Sequence, residues 1–146
     1  MAIAGDHAGY DLKSYIKDNF TALDVVWLDL GTDSKDSVDY PDFGGEMARA
    51  ITDGRADCGV LICGTGIGIS IAANRAPQVR AAVCANTTQA RLARAHNDAN
   101  VIALGARITG VEVALDCVAT FLQTDFEGGR HTGRVEKLAT SPLDET

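Results

Sequence analysis

Short apolar segments of the chain alternate with longer segments of helical period, and this alternation constrains the fold more than any other feature. The apolar segments are bounded by Gly, Asp or Asn and span residues 1–5, 25–31, 58–64, 80–85 and 100–105. Near-continuous apolar runs of this length are typical of strands that are covered on both faces of a sheet. We therefore predict five strands.

Between these strands, apolar residues recur at helical spacing, as Leu12, Ile16 and Phe20 illustrate. The pattern predicts helices over residues 10–20, 41–52, 67–76, 87–97, 110–122 and 133–141. Asn86 or Thr87 suits the N-cap of the fourth helix. Strands that alternate with helices through short turns pair in parallel by right-handed crossovers. The sequence thus predicts a three-layer α/β/α fold around a five-stranded parallel, doubly wound (Rossmann-like) sheet.

Length and charge narrow the classes of protein that fit. The chain has 146 residues, of which 46% are hydrophobic and 23% charged, so we expect one domain over residues 1–146. A net charge of −7 argues against a nucleic-acid partner, because such partners usually require a basic face. The N-terminal MAIAGDH does not resemble a signal peptide, and no apolar run approaches membrane-spanning length. We expect a cytoplasmic protein with no membrane partner.

The four cysteines divide into two kinds. Cys58, Cys84 and Cys117 lie within apolar segments, and we expect them to be buried free thiols. Cys63 instead ends the third predicted strand, next to a glycine-rich turn. The cysteine spacing matches no metal-binding pattern, so the sequence predicts no metal site.

Polar side chains follow three of the predicted strands at the point where each strand ends. Asp6 and His7 follow the first strand, Cys63 and Thr65 stand at the end of the third, and Arg107 follows the fifth. Ligands of doubly wound sheets bind outside the carboxyl ends of the strands. His7 could also be an ordinary core histidine, but the gathering of these groups at one edge favours a binding site.

The stretch CGTGIGIS, residues 63–70, lacks the Lys of GxxxxGK[ST] and the third Gly of GxGxxG. Gly64, Gly66 and Gly68 let backbone N–H groups approach a phosphate or a developing oxyanion, or merely let the helix lie close to the sheet. N–H donors around the Cys63 sulfur favour a thiolate, which is a competent base or nucleophile. The alternative is that Cys63 is a small buried strand residue.

A second group of candidate residues lies elsewhere. His96 ends the fourth helix, so it belongs to the amino edge of the sheet, opposite Cys63. It either stabilises the helix end or works in the site of another subunit. Arg130 and Arg134 are four residues apart and form either an anion clamp or a solvated charged face. The polar segment 96–100 favours an interface, and we therefore predict a homodimer with composite sites.

The motifs GDHAGYDLK, VDYP, ICGTGIGISIAANR, RAAVC, HNDANVIALGAR and EGGRHTGRVE occur in this order along nearly the whole chain. Together they resemble the type B ribose-5-phosphate isomerases and the related galactose-6-phosphate isomerases. The resemblance implies interconversion of ribose 5-phosphate and ribulose 5-phosphate through a cis-enediolate, without cofactor or metal. It also implies dimers or tetramers whose sites are shared between subunits.

The resemblance also implies a role for each candidate residue. Cys63 would move a proton between C1 and C2, with Thr65 as its hydroxyl partner, Asp6 as the proton shuttle and His96 as the group that opens the furanose ring. The implied substrate-binding residues are His7, Tyr40, Gly64, Gly66, Gly68, Asn97, Arg107, Arg130 and Arg134. Of these, His7 and the arginines would bind the phosphate, Tyr40 would line the sugar site, and the others would hold the enediolate oxygens. Whether Arg107 and His96 act within one chain stays open.

Two other functions are compatible with the sequence. One is isomerisation of a different sugar or sugar phosphate, such as a tetrose or an allose-type or galactose-type hexose. The distance from Cys63 to the arginines sets the length of the substrate, and the sequence does not give it. The other is a non-catalytic flavin- or nucleotide-binding module, which an aromatic content of only 5% disfavours.

Overall fold

The computed structural model describes residues 1–143 and contains a five-stranded sheet in which all neighbouring strands are parallel. The strands are β1 (Ala2–Gly5), β2 (Leu28–Asp29), β3 (Gly59–Cys63), β4 (Ala81–Val83) and β5 (Val101–Gly105). Their order across the sheet is β2-β1-β3-β5-β4. The predicted fold class is confirmed, whereas a single domain over residues 1–146 stays a prediction.

Helices follow the strands as the periodicity predicts. They are α1 (Tyr10–Asn19), α2 (Tyr40–Thr52), α3 (Ile67–Ala73), α4 (Thr87–Asn97), α5 (Val111–Gln123) and α6 (Thr132–Leu138), with 3₁₀ turns at His7–Gly9 and Gly129–His131. Asn86 is the N-cap of α4, because its side-chain oxygen accepts a hydrogen bond of 2.9 Å from the N–H of Gln89. None of the helices within residues 1–143 is long and apolar enough to cross a membrane.

The sheet is covered on both faces, which gives the three predicted layers. On one face, Ile16 of α1, Ala93 of α4 and Phe121 of α5 join a buried cluster with alternate residues of the central strands. On the other face, Met47 of α2 and Ile69 of α3 complete a second buried cluster. Residues of β1, β3 and β5 contribute to both clusters in alternation, because successive side chains of a strand point to opposite faces.

The two edge strands are shorter than predicted. β2 covers only Leu28–Asp29 of the predicted 25–31, and β4 covers Ala81–Val83 of the predicted 80–85. Both strands pair on one side only and are partly exposed. Trp27 lies just before β2 and packs edge-on against Phe20, with ring centroids 6.1 Å apart. Some residues of these apolar segments therefore pack against the core without pairing as a strand. Hydrophobicity alone does not distinguish such residues from strand residues.

The expectation that three cysteines are buried is confirmed for two of them. Cys84 and Cys117 are buried free thiols. Cys58 lies one residue before β3 and is partly exposed, so the prediction that it begins the strand in the interior is wrong. Its position at the amino edge of the sheet, outside the regular pairing of β3, accounts for this exposure.

The order in which strands are added to the sheet changes sides between β1 and β3, which makes this a topological switch point. β2 pairs with β1 on one side, and the strands that come later in the chain are added on the other side. In doubly wound sheets, the carboxyl ends of the two strands at such a point diverge and leave a crevice. The loops after β1 and β3 carry Asp6, His7 and Thr65, so the topology brings these residues together.

Candidate active site

A cavity of about 530 Å³ opens at the carboxyl ends of β1, β3 and β5. It is lined by eight of the residues that the sequence singles out: Asp6, His7, Tyr40, Cys63, Gly64, Thr65, Gly68 and Arg107. Ala8, Ile67 and Ile71 complete the lining. These three were not predicted, because small and apolar residues carry no chemical signal in a sequence. The polar groups therefore converge on a space large enough for a small ligand.

The sulfur of Cys63 lies at the base of this cavity. The side chain is only 4% exposed, and its Sγ accepts a hydrogen bond of 3.1 Å from the N–H of Gly66. Gly66 has a φ of 80°, in the left-handed region, and this conformation turns its N–H toward the sulfur. Gly66 itself is buried and does not line the cavity. Its N–H is therefore directed at the thiol, and the role in holding the enediolate oxygens that the resemblance implies for Gly66 stays a prediction.

The other three thiols lie in surroundings that suppress ionisation. Burial, together with the neighbouring Cys117, raises the pKa of Cys84 to about 12. Burial likewise raises the pKa of Cys117 and of Cys58. Cys63 is the thiol that lines the cavity at the carboxyl edge and accepts a backbone N–H.

Asp6 and His7 occupy the turn between β1 and α1. Asp6 is 5% exposed, and its Oδ1 accepts a hydrogen bond of 3.1 Å from the N–H of Gly9, which fixes the carboxylate as a cap of the turn. The Nδ1 atom of His7 accepts a hydrogen bond of 3.1 Å from the N–H of Val38. A neutral imidazole that accepts at Nδ1 carries its proton on Nε2. His7 therefore offers an N–H donor, which suits an anionic oxygen.

The glycine-rich turn holds Thr65 and Gly68 next to the cavity. The Oγ1 of Thr65 accepts a hydrogen bond of 3.2 Å from the N–H of Ile67, which leaves the hydroxyl proton available to a ligand. The ring of Tyr40 lies over Gly68, where an added Cβ would come within 2.6 Å of a ring carbon. Only glycine allows this close approach. Tyr40 therefore forms one wall of the cavity.

Arg107 is held beside Cys63 by the backbone. The N–H of Ala106 bonds to the carbonyl of Cys63, and the N–H of Arg107 bonds to the carbonyl of Gly64, each over 2.9 Å. The guanidinium lies across Gly64, with Nη1 3.1 Å from the position that a Cβ would occupy there. Arg107 and Cys63 thus line one cavity within a single chain.

The remaining predicted residues lie at the opposite edge of the sheet. His96, Asn97 and Arg134 line a separate cavity of about 260 Å³. Arg130, in the second 3₁₀ turn rather than in α6, donates a hydrogen bond from Nε to Nε2 of His131 over 3.3 Å. These residues do not meet Cys63 within one chain, because the length of β5, about 13 Å for five residues, separates the two edges.

The structure brings two further residues, Glu127 and His131, next to His96. The rings of His96 and His131 stack with centroids 4.4 Å apart. The Oε2 of Glu127 lies 3.5 Å from Nε2 of His131 and 4.0 Å from Nε2 of His96. Glu127 and His131 are four positions apart but share no helix, so periodicity gave no signal for their contact.

Comparisons with known proteins agree with this geometry. A family model described as Ribose/Galactose Isomerase matches residues 1–138. The chain is 44% identical to ribose-5-phosphate isomerase B of Escherichia coli over 138 residues, which cover 94% of this chain and 93% of that protein. It is 42% identical to D-erythrulose-4-phosphate isomerase of Pectobacterium atrosepticum over 139 residues, or 94% and 91% of the two chains.

A solved structure supports the same conclusion. Ribose-5-phosphate isomerase B of Clostridium thermocellum superposes with a TM-score of 0.91 at 51% identity, covering 94% of this chain and 93% of that one. Fold, site and similarity together define an aldose–ketose isomerase. More narrowly, the chain belongs to the Ribose/Galactose Isomerase family, and the resemblance identified from its motifs is confirmed.

Proposed function

We propose that the protein interconverts ribose 5-phosphate and ribulose 5-phosphate by proton transfer through a cis-enediolate, without a cofactor. The observation that carries this proposal is the position of the Cys63 sulfur, which accepts the Gly66 N–H at the base of a cavity lined by Asp6, His7 and Arg107. The names of the Escherichia coli and Clostridium thermocellum relatives support the choice of sugar.

Cys63 is the base in this proposal. The thiolate removes the proton from C2 of the open-chain aldose, and the C–H electron pair forms the C1=C2 double bond while negative charge moves onto O1. The protonated sulfur then returns the proton to C1, and the C2=O carbonyl forms. One group therefore serves both carbons, which requires a sulfur that reaches C1 and C2 from one face of the enediolate.

Three further groups act on the sugar oxygens or on the sulfur in this proposal. The proton that leaves O2 must arrive at O1, and in this proposal the Asp6 carboxylate, fixed by the Gly9 N–H and lining the same cavity, carries it. The first turn of α3 presents N–H groups that lack partners within the helix, and Gly68 exposes this turn to the cavity. Such donors stabilise the charge of an enediolate. Thr65 can donate its hydroxyl proton to the sulfur or to the sugar.

The phosphate and the closed sugar ring require residues from a second copy of the chain. His7 and Arg107 supply donors beside Cys63, whereas Arg130 and Arg134 lie near His96 at the other edge. A pentose phosphate is too short to reach both edges of one sheet. We therefore propose a homodimer, or a tetramer built from such dimers, in which His96 of one subunit opens the ring of a sugar bound at Cys63 of its partner.

The purified protein tests this function directly. With ribose 5-phosphate as substrate, we expect ribulose 5-phosphate to form at the same rate with and without EDTA, because the proposed proton transfers need no metal. Free ribose serves as the control and should turn over far more slowly, since it lacks the phosphate that anchors the reacting carbons. Absence of turnover with ribose 5-phosphate would overturn the proposal.

Another sugar phosphate is the competing substrate. The relative from Pectobacterium atrosepticum is named for a four-carbon ketose phosphate, at an identity close to that of the Escherichia coli relative. Comparison of kcat/KM for ribose 5-phosphate and for D-erythrulose 4-phosphate decides between the two substrates, and we expect ribose 5-phosphate to be preferred. The alternative of a non-catalytic flavin- or nucleotide-binding module is contradicted by membership of an isomerase family.

A further inference from the structure

The His96, Glu127 and His131 side chains form a compact group of potential metal ligands at the amino edge of the sheet. One ligand atom from each residue lies within 4.8 Å of the others. His131 is buried, His96 is half-buried, and Glu127 is exposed, so the group is open to solvent on one side. Two imidazoles and one carboxylate are a ligand set that zinc commonly takes, with water in the remaining position.

The two distances from Glu127 to the imidazoles are close to those of a zinc site. Two ligands that each lie about 2.0–2.1 Å from a tetrahedral zinc ion are about 3.3 Å apart. The Oε2 of Glu127 is already 3.5 Å from Nε2 of His131. The separation from Nε2 of His96 is 4.0 Å, so a shift of less than about 1 Å would complete this pair. The stacked rings of His96 and His131, 16° from parallel, must also rotate so that both Nε2 lone pairs point at one ion.

The backbone holds the three ligands in place. The N–H of Glu127 donates to the carbonyl of Ala95, the neighbour of His96, over 3.1 Å. The N–H of His131 donates to the carbonyl of Gly128 over 3.0 Å. The segment that carries Glu127 and His131 is therefore anchored to the end of α4, which lowers the entropic cost of bringing three ligands together.

The charges around the group both favour and oppose a cation. The Glu127 carboxylate favours a cation, because its Oε2 lies within 4.0 Å of the Nε2 atoms of both imidazoles. Arg130 opposes binding, because its Nε–H donates to the Nε2 atom of His131 that a metal would use. That bond is 3.3 Å long and the Arg130 side chain is exposed, so it can move away.

We propose that His96, Glu127 and His131 form an inhibitory site for Zn²⁺ or a similar borderline divalent cation, one per chain. Occupation of the site takes the Nε2 atom of His96 and brings the Glu127 carboxylate and the His131 imidazole onto the same ion. The binding does not depend on the function proposed above. The inhibition does depend on it, because it follows from the role of His96 in opening the sugar ring.

Calorimetric titration of the metal-free full chain with Zn²⁺ tests the site itself. We expect one zinc ion per chain, and an affinity at least about tenfold lower in Glu127→Gln, which removes the carboxylate ligand. Glu136→Gln is the matched control, because Glu136 is exposed on α6 and makes the same change of charge. Arg130→Met should bind zinc more tightly than the parent. Equal affinities in the parent and Glu127→Gln would overturn the proposal.

Titration with Co²⁺ distinguishes this group from the cysteines. Nitrogen and oxygen ligands give visible d–d bands alone, whereas a cysteine ligand adds a thiolate-to-cobalt charge-transfer band. We expect the d–d bands without the charge-transfer band, and expect them to weaken in Glu127→Gln. A charge-transfer band in the stoichiometric complex would assign the metal to a thiol and contradict the proposal.

Turnover assays then test the inhibition. Zinc should inhibit the parent, EDTA should restore its rate, and Glu127→Gln should keep its rate at zinc concentrations that inhibit the parent. Zinc that binds at the expected stoichiometry without slowing turnover would overturn the inhibitory role. A parent without turnover on ribose 5-phosphate would instead refute the proposed function, and the calorimetric and cobalt titrations would still decide the site.

Discussion

At the scale of single residues, the site depends on one backbone hydrogen bond to the sulfur of Cys63. Gly66 reaches the left-handed region and turns its N–H toward Sγ of Cys63 at 3.1 Å. The same glycine lies against the backbone of Leu104 in β5, which leaves no room for a side chain. Conformation and packing therefore both require glycine at this position.

Replacement of Gly66 by alanine should damage stability and turnover together. The new Cβ would lie 3.0–3.2 Å from backbone atoms of Leu104, in a conformation with a φ of 80°. We expect the free energy of unfolding to fall by about 1–3 kcal/mol. Turnover should fall as well, because the N–H that supports the sulfur shifts. Urea denaturation and a turnover assay measure the two effects.

Gly133→Ala is the control for this substitution. Gly133 lies in α6, and beyond its chain neighbours and the backbone of its own helix no heavy atom lies within 4 Å of the position of an added Cβ. Alanine is favoured over glycine in a helix, so this variant should be as stable as the parent or slightly more stable. If Gly66→Ala were as stable as Gly133→Ala, the structural requirement for glycine at position 66 would be wrong.

At the scale of secondary structure, a partly buried ion pair joins α1 to β2. The Nζ of Lys13, whose side chain is 2% exposed, lies 2.8 Å from Oδ1 of Asp29, and the Nζ of Lys17 lies 2.7 Å from Oδ2. Lys13 also donates to the carbonyl of Thr32, whose N–H bonds to Gly5 at the end of β1. This network attaches the edge of the sheet to the strand that leads into the active site.

The network should make stability depend on pH. Burial of Asp29 favours its neutral form, but the hydrogen bonds from Lys13 and Lys17 outweigh burial and lower the pKa of Asp29 below its ordinary value. A lowered pKa in the folded state means that the unfolded chain binds more protons in this range. The contribution of Asp29 is therefore complete at neutral pH and is lost as the pH falls through its folded pKa.

Asp29→Asn tests this dependence. At neutral pH we expect a free energy of unfolding lower by about 3 kcal/mol, because the buried Lys13 loses its anion. Between neutral pH and the acidic range where Asp29 titrates, the variant should lose less stability than the parent. Asp18→Asn, an exposed change on α1, is the control. Equal acid sensitivity in the parent and Asp29→Asn would contradict the assignment.

The central strands were predictable because burial on both faces leaves a continuous apolar signal. β1, β3 and β5 lie within one or two residues of their predicted bounds. The lengths of β2 and β4 were overestimated, because an apolar segment can cover the core without forming strand hydrogen bonds. The Lys13–Asp29 pair carried no sequence signal, since its partners are sixteen positions apart and belong to different elements.

At the scale of the whole molecule, the candidate residues divide between two edges of one sheet. The separation of His96 from Cys63 was predictable, because helix ends and strand ends lie at opposite edges of a parallel sheet. The order in which β5 lies between β3 and β4 was not, because side-chain pattern does not specify which strands are neighbours. That order is what places Arg107 beside Gly64.

Co-expression of two inactive variants tests the shared site. His96→Ala and Cys63→Ala each remove one half of the proposed site, so each homodimer should be inactive. A mixed dimer rebuilds one of its two sites, and random pairing should restore about a quarter of the parental activity. Recovery of no activity from verified mixed dimers would show that the two residues do not act across subunits.

The central claim is that the Cys63 sulfur transfers the proton, and the most direct measurement is turnover of ribose 5-phosphate by Cys63→Ala. Cys58→Ser is the matched control, since it alters a thiol at the opposite edge of the sheet. We predict that Cys63→Ala, folded as judged by circular dichroism, loses about 10²–10⁴-fold in kcat with KM nearly unchanged, whereas Cys58→Ser retains parental rates. A folded Cys63→Ala protein with the kcat of the parent would contradict the account.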